Sequence, residues 1–294
     1  MIDKYQDCIL VTGGCGFIGS HFVEQLHQQH PEFFIVVVDD LRTKGQYVVR
    51  SKGVRYYFKS IQNEDLIKEL TYQYQFRYIF HLANTPRVRR AIEFPREAID
   101  NNVTSTTAVC DIALQHGATL FFAQSSSVQY KEAITNAYTL SKVFADGVLK
   151  MYGTEYGLHT INMYFYSVYG PREADYGPYS TVVRRFKQKV QANESLEIFG
   201  NGKKQRDFTY VGDVVNNMIM LINDKDLYKY NAAHFGRGSP KSIQQIADAF
   251  RHETVYRFDL PGEAQITFCK QPYGEYKTEV LDYIKQWRDN VVHT

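Results

Sequence analysis

The segment ILVTGGCGFIGSHFVEQL joins a short apolar run to an amphipathic helical pattern through a glycine-rich turn. Its glycines, Gly13, Gly16 and Gly19, follow a GxxGxxG spacing. Gly13 permits the tight turn, Gly16 lets the backbone approach a pyrophosphate, and Gly19 allows close packing of helix on strand. The free N–H groups at the helix start attract an anion. This turn predicts a strand, a helix and a dinucleotide phosphate between them.

The chain alternates short β-rich apolar runs with helical patterns. This order predicts an α/β fold of the Rossmann type, in which a doubly wound parallel sheet carries helices on both faces. The predicted strands cover residues 8–12, 34–39, 56–58, 78–82, 119–123 and 160–165, and the predicted helices include 99–117, 137–152 and 181–193.

The pattern changes after residue 170, where loops rich in Gly, Pro and Tyr begin. We expect residues 1–170 to form the cofactor-binding domain, and residues 171–206 and 237–294 to form a smaller substrate-binding lobe. Residues 207–236 contain a strand-turn-helix pattern and a further apolar segment, and we expect them to return to the first domain.

Two carboxylates end the second predicted strand, FFIVVVDD. Asp39 lies twenty residues beyond Gly19, and Asp40 follows it. A carboxylate at this place accepts hydrogen bonds from the adenosine ribose hydroxyls and repels a 2′-phosphate. The sequence therefore predicts NAD rather than NADP, although Arg42 and Lys44 nearby keep NADP open.

A serine run that includes Ser126 follows the predicted strand TLFFA, and Tyr138 and Lys142 begin a helix shortly after it. Residues four apart share a helix face, so the Lys142 ammonium can favour the phenolate of a tyrosine whose pKa in water is about 10. Tyr138 would then act as a base and Ser126 would hold the oxygen from which the proton leaves. A second YxxxK pair, Tyr273 and Lys277, lies in a stretch interrupted by Pro and Gly, so position selects the first pair.

Charge and cysteine usage exclude other classes of protein. The 34 basic and 32 acidic side chains leave a net charge of +2 without a basic stripe, so we expect no nucleic-acid partner. No apolar run approaches the roughly 20 residues of a membrane span, and no signal-peptide pattern is present, so we expect a cytoplasmic protein without membrane contact. The 4 cysteines lack ligand or disulfide spacing, so no metal site is predicted.

The chain resembles the extended short-chain dehydrogenase/reductases, specifically the NAD-dependent epimerase/dehydratase family that acts on nucleotide sugars. The resemblance covers nearly the whole length, and the order and separation of the motifs also match. The matching stretches are TGGCGFIGSH, VVVDDL, FHLAN, NNVTST, AQSSSVQY, YTLSK, VYGPRE, GNGKKQRDFTYVGDV and the PGE that starts at Pro261.

The resemblance implies further contacts to NAD along the pyrophosphate, the adenine and the cofactor channel. The implied residues are Phe17, Ile18, Ser60, Ile61, Leu82 and Ala83. Tyr138 and Lys142 would contact the cofactor as well.

The resemblance also implies a site for a nucleotide-diphosphate sugar. Asn102 would brace this site, and Arg206 would meet a substrate phosphate through charge-assisted hydrogen bonds. Ser127 and Ser167 would belong to the same site. Asp213, near the end of the Arg206 motif, is interpreted as a helix N-cap rather than a ligand.

Several positions depart from the family pattern where it recognises adenine or the diphosphate. Ser60 replaces a usual acidic residue, Tyr164 and Ser167 replace a usual Arg and Asn, and Leu260 replaces a usual Arg. The phosphate contacts are therefore expected to differ from those of the family.

The loop NTPRVRR supplies candidate replacements. Arg87, Arg89 and Arg90 lie in this loop, which should face the cleft, so Arg87 is a candidate substrate ligand. A solvated basic turn is an equally good interpretation of the same residues.

The residues after Ser126 bear on the reaction. Dehydratases of the family place acids after the catalytic Ser or Thr, whereas this chain has Ser127 and Val128. The resemblance therefore favours epimerisation through a transient 4-keto sugar, with a 4-keto reductase and a 4,6-dehydratase as alternatives. A non-catalytic NAD-binding regulatory protein on the same fold also stays open. Family members commonly dimerise through the helices that correspond to 99–117 and 137–152, so we expect a homodimer.

Overall fold

A computed structural model describes residues 5–42, 47–86, 88–174, 180–259 and 264–292. Its strands are β1 (Tyr5–Thr12), β2 (Phe34–Val38), β3 (Val54–Tyr57), β4 (Tyr74–His81), β5 (Thr119–Ser125), β6 (Thr160–Phe165), β7 (Val168–Tyr169), β8 (Leu196–Phe199), β9 (Gln205–Arg206), β10 (Thr209–Tyr210), β11 (Ala232–Phe235), β12 (Lys241–Ser242), β13 (Thr254–Arg257) and β14 (Ile266–Thr267). Its helices are α1 (Phe17–Gln29), α2 (Glu64–Gln73), α3 (Val88–Glu93), α4 (Pro95–His116), α5 (Ala137–Tyr156), α6 (Val182–Gln191), α7 (Val211–Ile222), α8 (Ile243–Phe250) and α9 (Val280–Val292).

The central sheet contains seven parallel strands in the order β11-β6-β5-β4-β1-β2-β3. The connection from β3 to β4 crosses to the other side of β1, so the strand order reverses there. Ligands of such sheets bind at the carboxyl ends of the strands beside this reversal. Thr12 pairs with His81, which places Gly13 next to Leu82 at that edge. The predicted fold class is confirmed.

The helix boundaries follow local signals. Helix α4 starts at Pro95, earlier than the predicted residue 99, because proline fits the first helical position, where its missing N–H costs nothing. It ends before Gly117, whose φ of 60° continues the chain in the left-handed region. Helix α5 starts after Asn136, whose side chain accepts a hydrogen bond from the Thr139 N–H at 2.9 Å.

The sheet is buried on both faces, which explains apolar runs such as the FIVVV of β2. On the face that carries α1 and α7, Phe80 packs between Phe22 and Phe121, with ring centroids 4.4 Å and 4.3 Å apart. The opposite face packs against α2, α4 and α5. Helices therefore cover the apolar side chains on both faces of the sheet.

The second lobe has its own apolar core, in which Phe250 lies between Phe186 and Trp287. Strand β8 pairs with β13, and β12, β9 and β14 form a small sheet. Within segment 207–236, β11 joins the large sheet and α7 packs on the face that carries α1. Strand β10 pairs with β7, which ends at Tyr169.

Asp213 has a different role from the predicted one. Tyr210 occupies the N-cap of α7, and Asp213 lies inside its first turn. One Asp213 oxygen, Oδ2, accepts hydrogen bonds from the N–H groups of Lys277 and Thr278 at 3.0 Å and 2.9 Å. The N-cap interpretation is therefore wrong, and Asp213 fastens the C-terminal segment to α7.

Within the described ranges, no helix combines the length and apolar character that crossing a bilayer requires.

Candidate active site

One cavity of about 540 Å³ opens at the carboxyl edge of the large sheet and continues along the second lobe. Its wall contains every predicted cofactor contact. These residues are Gly13, Gly16, Phe17, Ile18, Gly19, Asp39, Asp40, Ser60, Ile61, Leu82, Ala83, Tyr138 and Lys142. The predicted catalytic Ser126 and the predicted substrate residues Ser127, Ser167 and Arg206 lie in the same wall.

The glycine turn leaves no space for side chains. Gly13 has a φ of 71°, and a Cβ there would lie 2.7 Å from the Ala83 nitrogen. A Cβ on Gly19 would lie 2.2 Å from the Gly13 oxygen. Helix α1 starts behind this turn without a side-chain cap, so its first N–H groups point toward the cavity end of the helix. The turn has the geometry of a phosphate cradle.

Asp39 is fixed by backbone donors at the end of β2. Its Oδ2 accepts from the Cys15 N–H and its Oδ1 from the Leu41 N–H, both at 2.9 Å. Burial raises the pKa of this carboxyl, and the two backbone bonds oppose the rise. Asp40 pairs with Arg42 at 2.6 Å, so a second carboxylate neutralises the nearest arginine. Lys44, the other basic residue considered for NADP, lies outside the described residues.

The predicted catalytic pair lies at the start of α5. Tyr138 and Lys142 are one helical turn apart, and both border the cavity. Lys142 is only 3% exposed, its Nζ donates to the Ala123 oxygen at 2.6 Å, and it lies 4.7 Å from the centre of the Phe122 ring. Burial lowers the pKa of Lys142 to about 7. The helix thus holds a cation beside the cavity in a poorly solvated place.

Three serines at the end of β5 border the cavity together. Ser126 is 8% exposed. Ser125 and Ser127 share a hydrogen bond of 2.8 Å between their hydroxyls, and Ser127 is 3.1 Å from the Thr139 hydroxyl on α5. This chain of hydroxyls connects the end of β5 to α5. Sequence reasoning passed over Ser125, although its place in the same serine run indicated it.

Asn102 stands behind the wall rather than in it. Its side chain is fully buried, and its Oδ1 accepts from the Thr85 N–H at 2.6 Å. Its Nδ2 donates to the Ser141 hydroxyl at 2.8 Å. The residue therefore braces the loop after β4 against α5 and does not reach a ligand directly.

The predicted phosphate contacts are distributed unevenly. Arg206 borders the cavity, and its Nη1 donates to the Gln205 oxygen at 2.9 Å. Ser167 borders it in the left-handed region, with a φ of 33°. Arg90 pairs instead with Glu97 at 2.7 Å, whereas Arg87 lies outside the described residues.

Two departures from the family pattern have different outcomes. Tyr164 does not border the cavity; it stacks on His234 at 4.7 Å between ring centroids. Leu260 and the adjoining PGE lie outside the described residues. Other residues of the wall were not predicted, and they include Lys59, Thr85, Arg172, Thr181, Arg185 and Lys204. Of these, Arg172 and Lys204 lie inside the matching stretches VYGPRE and GNGKKQRDFTYVGDV.

Metal and disulfide sites each require a particular arrangement of side chains. The described ranges contain no group of three or more His, Cys, Asp or Glu side chains arranged to hold a metal ion. The four cysteines are buried and unpaired as disulfides, and burial raises the pKa of the Cys15 thiol beside the glycine turn to about 12.

The parallel sheet, the glycine cradle and the Tyr138–Lys142 pair in one cavity define a dinucleotide-dependent enzyme. A family model described as the NAD dependent epimerase/dehydratase family matches residues 9–233. The chain therefore belongs to the NAD-dependent epimerase/dehydratase family. This membership favours an enzyme over a non-catalytic regulatory protein.

Relatives cover most of the chain. A putative UDP-glucose 4-epimerase of Methanocaldococcus jannaschii is 29% identical over 88% of this chain and 87% of its own length. A UDP-N-acetyl-alpha-D-glucosaminuronate decarboxylase of Bacillus cytotoxicus is 30% identical over 81% of this chain and 77% of its own length. The crystal structure of UDP-glucose 4-epimerase from Thermotoga maritima has a TM-score of 0.83 at 23% identity, covering 98% of this chain and 100% of that one, and it shows the same fold.

The described residues fit NAD, the cofactor of the family. A side chain would not fit at Gly13 or Gly19, so the turn presents bare backbone to the pyrophosphate. The fixed carboxylate of Asp39 suits the ribose hydroxyls of NAD and opposes a 2′-phosphate.

Proposed function

We propose that this enzyme inverts one carbon of a nucleotide-activated sugar, C4 in the simplest case, through a transient 4-keto sugar. The observation that carries the proposal is that Ser126, Tyr138 and Lys142 border the same cavity as the glycine cradle. Dinucleotide and sugar can therefore meet at one set of acid-base groups.

The residues of the chain have distinct tasks in this reaction. Tyr138 removes the proton from the sugar hydroxyl, and Lys142, in its protonated form one helical turn away, stabilises the phenolate. Ser126, next to the hydroxyl chain of Ser125 and Ser127, holds the sugar oxygen. NAD, when bound, supplies the redox step by taking a hydride from the sugar carbon and giving it back. Tyr138 then returns the proton to the oxygen of the alcohol, whose carbon now has the opposite configuration.

The carboxylates of the wall support epimerisation over dehydration. In the part of the wall that the structure describes, four carboxylates occur: Asp39, Asp40, Glu97 and Glu197. The first two lie at the cofactor end, Glu97 pairs with Arg90 at 2.7 Å, and Glu197 pairs with Arg257 at 3.0 Å. Ser127 and Val128 follow Ser126, so no acid adjoins the catalytic serine in sequence.

The decarboxylase among the relatives supports a second candidate. Oxidation of a uronic acid sugar at C4 makes its C6 carboxylate part of a β-keto acid, which loses carbon dioxide with an electron pair moving into the ketone. The first step would use the same tyrosine and lysine. The names of both relatives point to UDP as the nucleotide, and we propose a UDP-sugar as the substrate.

Mass spectrometry of the products separates these reactions. The purified protein with NAD is incubated with UDP-, dTDP-, GDP- and CDP-sugars, among them hexoses and uronic acids. A new isomer of unchanged mass is expected from one UDP-sugar. Loss of water would establish a dehydratase instead, and loss of carbon dioxide a decarboxylase. No product without NADH, together with reduction of a 4-keto sugar when NADH is added, would establish a reductase.

Tyr138→Phe tests the assignment of the base. Removal of the phenol oxygen is expected to lower kcat by about 10²- to 10⁴-fold, because general base catalysis is lost. The Kd of NAD should change little. Tyr156→Phe on the same helix is the matched control, since Tyr156 is 58% exposed and outside the cavity. Unchanged turnover by Tyr138→Phe would remove the catalytic assignment.

We also propose that the protein is a homodimer through α4 and α5. These helices pack on each other and leave large apolar side chains at their outer surface. Leu114, Phe144 and Met151 are 37%, 46% and 43% exposed. A partner copy would bury this surface.

A further inference from the structure

The wall of the second lobe carries a cluster of positive charges. Lys204 and Arg206 are two residues apart at the start of β9, and residues so spaced in an extended chain project to the same side. Both border the cavity, and Arg185 of α6 borders it as well. The acidic residue of this region, Glu197, is paired with Arg257 at 3.0 Å. These three basic side chains therefore border the cavity against one carboxylate among the described residues of this lobe.

Lys204 is the most deeply placed of these cations, with 6% of its surface exposed. Its Nζ lies 2.5 Å from Oδ1 of Asp259, whose side chain is 49% exposed and does not border the cavity. Lys204 thus stands between a carboxylate on the outside and the cavity on the inside. The position of a buried ammonium in a cavity wall is unfavourable unless an anion accompanies it.

The approach of Asp259 depends on the turn that precedes Lys204. Gly200 has a φ of 82°, and a Cβ there would lie 3.1 Å from Cγ of Asp259. A glycine at this turn therefore lets the carboxylate come close to the ammonium. In a wall screened from water, the attraction between an ammonium and an anion exceeds that at an exposed site.

We propose that Lys204 contacts the diphosphate of the nucleotide-sugar substrate directly and that Asp259 weakens this contact by sharing the ammonium. The proposal rests on the proposed function, because it requires a nucleoside diphosphate in the cavity. The family usually has an arginine at the position of Leu260. The proposal gives this chain a phosphate contact from a different basic residue. A diphosphate carries enough negative charge to engage Lys204 and Arg206 together.

Calorimetric titration with UDP tests the contact without turnover. Lys204→Met is expected to raise the Kd of UDP by about 10- to 100-fold, which is the loss of a charge-assisted hydrogen bond. Lys203→Met is the matched control, because Lys203 is the exposed neighbour and its loss changes net charge equally. Its Kd for UDP should stay within about twofold of the parent value. The Kd of NAD, measured for both variants, reports on the intact fold and should not change.

A second variant distinguishes a direct contact between Lys204 and the diphosphate from an ion pair that only holds the loop in place. Asp259→Asn keeps the ammonium and removes its carboxylate, so we expect the Kd of UDP to fall by roughly 2- to 5-fold. A loss of affinity as large as that of Lys204→Met would mean that the ion pair merely holds the loop, and would overturn the inference. An unchanged Kd for Lys204→Met would overturn it too, with the proposed function intact. If the parent protein bound none of UDP, dTDP, GDP and CDP, both proposals would be wrong.

Discussion

Lys142 is buried inside the protein as a cationic side chain, with its Nζ hydrogen-bonded to the Ala123 oxygen. Burial lowers its pKa from 10.5 to about 7 in the folded protein. Between these two values the unfolded chain binds a proton that the folded chain does not, so stability rises with pH. The destabilising effect of the charge is complete below about pH 7 and disappears toward pH 10.5.

Lys142→Met should therefore stabilise the protein while removing its activity. The expected rise in Tm is about 2–4 °C for each kcal/mol gained. The difference in Tm between Lys142→Met and the parent should be largest at pH 6.5 and should shrink at pH 9.5. Thermal unfolding across this pH range measures it.

Lys150→Met controls for the loss of a lysine from the same helix. Lys150 is 75% exposed at its side chain and pairs with Asp146, so its replacement should leave Tm nearly unchanged at both pH values. A lower Tm for Lys142→Met at every pH would contradict the role assigned to burial.

Ser126, Tyr138 and Asp39 were singled out because motifs join them to a strand end or a helix start, and all three border the cavity. Lys204 was not singled out, because its burial and its approach to the cavity depend on the packing of the second lobe. Asn102 was predicted to brace the site, but sequence could not tell a brace from a ligand.

At the scale of elements, the turn between β1 and α1 can form only because its glycines have no side chain. Gly19→Ala would force a methyl group to within 2.2 Å of the Gly13 oxygen, and backbone on both sides prevents relief. We expect loss of NAD binding and a marked fall in Tm. Calorimetry with NAD and thermal unfolding measure the two effects.

The same substitution at Gly153 on α5 is the matched control. A Cβ there would make only an ordinary contact, at 3.5 Å from the Leu158 oxygen. Alanine in place of a helical glycine stabilises by up to about 1 kcal/mol, so Tm should rise and NAD binding should persist. Equal NAD affinity of Gly19→Ala and Gly153→Ala would refute the cradle.

The longer strands could be predicted from the sequence, whereas the shortest strands could not. Strand β2 forms an apolar run, FIVVV, whose pattern indicates a buried parallel sheet. The two-residue strands β9, β12 and β14 carry no such pattern, because their pairing is fixed by loops of the second lobe. Helix α4 starts at Pro95 rather than at the predicted residue 99, whereas α5 starts at the predicted residue 137.

At the scale of the whole molecule, the proposed dimer makes a prediction about mass in solution. Replacement of both Phe144 and Met151 by Glu places charges on the outer face of α5 and should halve the mass found by light scattering. Tyr228→Glu is the control, because Tyr228 is 71% exposed on a short helix away from this face. A parent protein that is already monomeric would exclude the dimer.

The walls of the cavity come from distant parts of the chain. The glycine turn, Asp39 and the end of β4 all precede residue 86, whereas Lys204, Arg206 and Thr267 close the opposite side. Synthesis proceeds from the N-terminus, and domains fold as their residues emerge. A chain leaving the ribosome therefore contains the glycine turn, Asp39 and the end of β4 long before the residues of the opposite side of the cavity, and its edge strand β11 can complete the sheet only after most of the molecule has been made.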